Sequence, residues 1–148
     1  PQMIRICEKY NVMMKAHNCD YLSNTALQYH PRLGIHAINI APEFGVIESK
    51  CIYDTLKKNN LKTLLNDFIE LSHNSKKWQK WMRKGSVTNK TDKALISGHY
   101  VFSTFEFQEV YKEAKKHLIK KNVNLNRIIK KELTKSLQRY TKNLGIEK

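Results

Sequence analysis

The sequence predicts an α/β protein in which a small parallel-sheet portion is followed by a wholly helical region. Two short apolar runs, at residues 11–17 and 35–41, each close on polar or special residues, as buried strands do. Each run is followed by a helix start signal, the strand–helix–strand–helix order of a parallel sheet. Beyond residue 60 the apolar pattern is wholly helical, with residues recurring three and four apart.

Residues 11–17, Asn-Val-Met-Met-Lys-Ala-His, are expected to form the first strand. Ser23 is a natural N-cap for a short helix over 24–29, and His30-Pro31-Arg32-Leu33-Gly34 ends it. The second strand covers 35–41. Pro42 then sits at a first helical position, where its missing N–H is harmless, and Glu43 suits the positive end of the helix dipole. That helix is expected to reach Lys58. Asn60 is a candidate cap for a helix carrying Leu61, Leu64, Leu65, Phe68 and Ile69. Trp78, Trp81 and Met82 share a helical face within 75–84, and 85–92 is a loop. Ser103-Thr104-Phe105-Glu106 has the form of a capping box. Residues 122–124 break that helix, and a last one runs from Leu125 to a C-terminal stop at Gly145.

Two parallel strands are too few to cover their own edges and faces. The pattern therefore predicts the end of a larger parallel sheet or barrel. Residues 1–58 would be its last strand–helix units, and 59–148 a helical region packed on it. A first residue Pro1 rather than Met agrees with a piece of a longer protein.

Composition narrows the classes further. An apolar content of 41% can build a core, and no apolar run approaches the roughly 20 residues of a membrane span. No stretch has the order of a signal peptide. Three cysteines without a CxxC spacing argue for reduced thiols rather than a disulfide scaffold or zinc ribbon, and for a cytoplasmic setting. The net charge of +14 arises entirely beyond residue 56, because residues 1–56 hold five basic and five acidic side chains. Residues 110–148 carry twelve Lys or Arg, but Tyr111 and Tyr140 lie on apolar faces rather than among the cations. A solvated lysine-rich helix surface explains that tail better than nucleic-acid binding does.

In parallel α/β proteins ligands gather at the carboxyl ends of strands. The two predicted strand ends hold His17, Asn18 and Asp20, and Asn39 and Glu43. His17 can carry a proton, Asp20 and Glu43 can accept hydrogen bonds from sugar hydroxyls or serve as bases, and Asn18 and Asn39 can hold hydroxyls. His99, in the segment before the penultimate helix, can reach such a mouth. Plainer roles stand beside each: a turn cap for Asp20, a first-turn dipole residue for Glu43, a packed connection for His99-Tyr100. Asn39, inside an apolar run, demands a partner. Cys19 has no base specified near it, and His17 with Cys19 makes only two ligands, so no metal site is expected and no residue is assigned as catalytic.

Ala16-His17-x-x-Asp20-Tyr21, the turn at 39–45, Trp78-Gln79-Lys80-Trp81, His99-Tyr100 within 92–103, and 125–140 with its closing Arg-Tyr fall in a recognisable order. That order resembles the C-terminal portion of the D-tagatose-1,6-bisphosphate aldolase non-catalytic subunit family, formerly called tagatose-6-phosphate kinase. The resemblance spans essentially the whole chain but only the last part of that family. It implies the C-terminal fragment of a TIM-type (β/α)8 barrel, about its last two parallel strands, followed by several helices. It implies an accessory subunit of a class II aldolase, with a sugar phosphate as ligand, no cofactor in this chain, and zinc only on the catalytic partner. No Gly-rich phosphate loop supports a kinase. The Asn and the Pro-Glu-Phe-Gly of 39–45 are not kept in the better-known members, which leaves the sugar open. Two alternatives stand: an aldolase or isomerase with its own activity, and a basic helical module that binds nucleic acid. Self-association into a homo-oligomer is compatible with each.

Overall fold

The computed structural model describes residues 2–146, and 68% of them are helical against 3% in strands. The elements are α1 (Gln2–Lys9), β1 (Lys15–Ala16), α2 (Asn24–Arg32), β2 (Ala37–Ile38), α3 (Pro42–Lys58), α4 (Lys62–Asn74), a 3₁₀ helix at Lys77–Trp81, α5 (Lys90–Ser97), a 3₁₀ turn at Gly98–Tyr100, α6 (Phe105–Ile119) and α7 (Leu125–Leu144). No helix among the described residues is long and apolar enough to cross a membrane.

This overturns the expected fold class. The chain is a predominantly helical protein, not a fragment of a TIM-type α/β barrel. β1 and β2 do pair in parallel, Lys15 opposite Ala37 and Ala16 opposite Ile38, but each is two residues long. The reason lies in the flanks of the first apolar run. Asn11 and Asn18 take left-handed backbone conformations (φ 51° and 56°), which cut the extended stretch at both ends. Val12 and Met13 are 56% and 81% exposed, so the run is no buried strand. Before it, the unforeseen helix α1 forms.

Five of the α-helix C-termini are specified by one recurring device. After α1, Asn11 N–H donates to Glu8 O and Val12 N–H to Cys7 O, the paired bonds of a Schellman motif. The same pair follows α2 at Gly34-Ile35, α3 at Asn60-Leu61, α6 at Asn122-Val123 and α7 at Gly145-Ile146. Each motif places Asn or Gly at positive φ and an aliphatic residue after it. Asn60 thus closes α3 rather than capping α4. α2 runs through Pro31 to Arg32, because its stop is set by Gly34. N-caps are Ser23, Asn89 and Thr104, the last in place of the neighbouring Ser103, and Asn124 Oδ1 accepts from Arg127 N–H. Asn89 starts α5 inside the expected loop. Within 75–84 only Lys77–Trp81 is helical, as a 3₁₀ helix, and Met82 beyond it is extended, off the tryptophan face.

The chain forms two compact units, residues up to Phe44 with those from Thr134 onward, and Gly45–Leu133. Neither boundary falls at 58–59. The second unit holds an apolar core in which Ile52 and Leu56 of α3, Phe68 of α4, Phe107 and Leu118 of α6 and Leu125 of α7 are all buried. Phe68 and Phe107 meet with ring centroids 5.9 Å apart. Phe68→Ala should cost about 3–5 kcal/mol and Leu118→Ala about 2–5 kcal/mol in urea unfolding of the full chain, since both are fully buried and leave a cavity.

Candidate functional site

Five of the six sequence-selected residues lie in the first unit, and two of them build its polar centre. Asp20 Oδ1 accepts hydrogen bonds from Ala41 N–H at 3.1 Å and Glu43 N–H at 2.9 Å, so it caps α3 from twenty residues upstream. Glu43, 8% exposed, occupies the first turn of that helix. Its Oε2 accepts from Tyr21 N–H at 2.6 Å and from the Tyr140 hydroxyl in a short hydrogen bond. Its Oε1 accepts from Ser136 Oγ at 3.3 Å and faces Arg139 Nη2 at 3.8 Å.

Three residues of α7 complete this cluster. Ser136 and Tyr140 lie one helical turn apart and Arg139 sits beside them. Arg139 Nη1 also donates to Leu22 O at 2.8 Å and to Asn24 Oδ1 at 3.2 Å, and its guanidinium lies 4.6 Å from the Tyr140 ring centroid. Phe44 meets the same ring edge-on at 6.3 Å. Burial, then the Glu43 carboxylate, push the Tyr140 phenol up to about 12, so at neutral pH it is a hydrogen-bond donor. Sequence reasoning noticed Arg139-Tyr140 only as a closing pair. Nothing local announces that a tyrosine 97 positions away meets Glu43.

The remaining candidates have other places. Asn39 finds its partner in Asn18, whose N–H donates to Asn39 Oδ1 at 3.2 Å and links the ends of the two short strands. The exposed His17 side chain lies just past β1. His99 belongs to the second unit. Its ring packs on Gly45, where an added Cβ would stand 2.5 Å from the imidazole, and its Nδ1 is buried without a hydrogen-bond partner among the described residues. Burial and then Lys80 lower its pKa, which keeps it neutral.

Cys19 does have a base beside it, although none was visible in the sequence. Its Sγ lies 3.8 Å from His30 Nε2, and His30 Nδ1–H donates to Ala26 O at 2.8 Å, which leaves Nε2 free to accept. Burial, and secondarily Asp20, raise the thiol's pKa, so the pair is a thiol donating to an imidazole rather than a poised thiolate. Among the described residues no three His, Cys, Asp or Glu side chains converge as a metal-ligand set.

A scan against models of known families, a search of curated proteins and a search of solved structures each return no match to this chain.

Two outcomes follow from the cluster. Glu43→Ala leaves Tyr21 N–H and the Tyr140 hydroxyl without their acceptor and should cost about 2–4 kcal/mol in denaturant unfolding, more than Asp20→Ala at about 1–2 kcal/mol. Tyr140 should also give a pH signature. Its folded pKa lies above the unfolded value near 10, so its contribution is complete below about pH 10 and is lost as pH rises toward about 12. Between those limits, stability of the parent chain should fall more steeply than that of Tyr140→Phe, by about 1.4 kcal/mol per pH unit. Parallel slopes in the two proteins would exclude this role.

Proposed function

We propose that this chain is a non-catalytic accessory subunit in sugar-phosphate metabolism that docks on a class II aldolase through the apolar surface of its first unit. The observation that carries the reading is the distribution of exposed apolar side chains. Of fourteen large hydrophobic side chains left exposed among the described residues, ten belong to that unit, which is the smaller of the two. Met3, Ile6, Tyr10, Val12, Met13 and Leu33 are among them. Such a concentration is expected of a surface that another polypeptide covers.

The acids support the accessory role over an activity of its own. A general base needs a free acceptor, and both oxygens of Glu43 are engaged. Asp20 is held as the cap of α3 through its Oδ1. The sugar-phosphate assignment rests on the ordered segments from Ala16-His17 to Arg139-Tyr140, and zinc would reside on the aldolase.

The test is to mix the full chain with a class II tagatose-bisphosphate aldolase and measure co-elution and the aldolase's thermal inactivation. The expected outcome is a joint peak and a half-life lengthened several-fold, both lost in a Met13→Glu/Leu33→Glu double variant. Cleavage of the sugar bisphosphate by this chain alone would overturn the non-catalytic reading. Separate elution with an unchanged half-life would overturn the aldolase partner.

A further inference from the structure

An acid-free run of cations interleaved with tryptophans lies outside the cluster and outside the lysine-rich tail. Residues 75–91 contain Lys76, Lys77, Lys80, Arg83, Lys84 and Lys90, two tryptophans and no acid. Lys90 pairs with Glu70, whereas the ion pairs between described residues take none of the other five. All five are exposed.

The backbone arranges these groups. In the 3₁₀ helix Lys77–Trp81, residues three apart eclipse, so Lys77 and Lys80 form one row and Trp78 and Trp81 an adjacent one. Trp78 anchors the turn. Its Nε1–H donates to His73 O at 2.9 Å, its ring stacks on His73 at 5.5 Å, and Lys93 covers it at 4.5 Å. Trp81 has no such anchor and stays 39% exposed. Lys80 Nζ stands 5.3 Å from the Trp81 ring centroid and 4.4 Å from that of Tyr100. The result is an exposed indole beside a row of unpaired cations, held on a fixed turn.

We infer that this face binds single-stranded nucleic acid, with a base stacked on Trp81 and backbone phosphates along Lys77, Lys80, Arg83 and Lys84. Charge complementarity calls for an extended polyanion, because five cations outside any ion pair, with no intervening acid, exceed what one phosphate needs. The aromatic member selects among polyanions: bases offer flat faces at every phosphate step, and stacking on an indole is indifferent to sequence. An anionic membrane suits the face less well, because Arg83 and Lys84 separate Trp81 from the next exposed apolar side chain, Val87.

The experiment is fluorescence anisotropy of a labelled oligo-dT against the full chain across a salt series. Three to five phosphate contacts predict a log–log salt slope of about −2 to −3.5. Trp81→Ala should weaken binding about tenfold, as loss of one stacked base does, and Lys77→Glu/Lys80→Glu should flatten the slope. Lys130→Glu/Lys131→Glu, on the tail, should bind as the parent does. Unaltered circular dichroism is expected in all three variants, whose changed side chains are exposed. Loss of binding in the tail variant with retention in the Trp81 and Lys77/Lys80 variants would overturn the proposal. So would co-flotation with phosphatidylserine vesicles in the absence of oligonucleotide binding.

Discussion

The Glu43 carboxylate ties together three segments that are far apart in the chain: the turn at Tyr21, the start of α3, and the last turns of α7. A carboxylate 8% exposed is costly unless nearly every lone pair is used and a cation stands near. Here the cost is met by a backbone N–H, a phenol, a serine hydroxyl, the guanidinium of Arg139 and the positive end of α3. Asp20 works on the same helix end, so two acids from opposite sides of β2 share one task. Without them the first unit would rely on a short parallel pairing and a thin apolar lining.

That arrangement explains why the strand-end rule misplaces the chemistry. The rule places ligands at the carboxyl ends of parallel strands because a continuous sheet leaves its loops free to carry function. With strands of two residues, Lys15–Ala16 and Ala37–Ile38, the polar residues beyond them are recruited to hold the structure. Asn18 bonds Asn39, Asp20 caps α3, and Glu43 receives Tyr21 and Tyr140. Cys19 and His30 follow the same logic, their side chains directed at each other and at the α2 backbone.

Much of the helical architecture was legible in the sequence because its signals are local. Ser23, Pro42 and Gly145 mark helix ends through their own conformational preferences, and α2, α3 and α7 begin or end where those residues say. The pairs Asn11-Val12, Gly34-Ile35, Asn60-Leu61, Asn122-Val123 and Gly145-Ile146 are a further signal, since Asn and Gly adopt the left-handed conformation more readily than most residues. Read that way, Asn11 would have announced α1 and shortened the first strand. The meeting of Tyr140 with Glu43 carries no local trace, because it depends on how α7 returns to the first unit. The pairing of His30 with Cys19 depends on α2 continuing through Pro31.

The basic residues divide by what surrounds them. On α6, Lys112 and Lys116 stand with the helix-spaced partners Glu109 and Glu113 and serve an ordinary solvated face. Pairs so exposed contribute little to stability, so their placement is about solubility more than fold. At 76–84 no acid interrupts the cations, and Trp81 is part of the same surface. Like charges crowded on a short 3₁₀ helix repel one another, and neither the core nor a helix dipole needs them there. A fixed turn that keeps such charges beside an exposed indole is better explained by what approaches it from solvent than by the packing it supports.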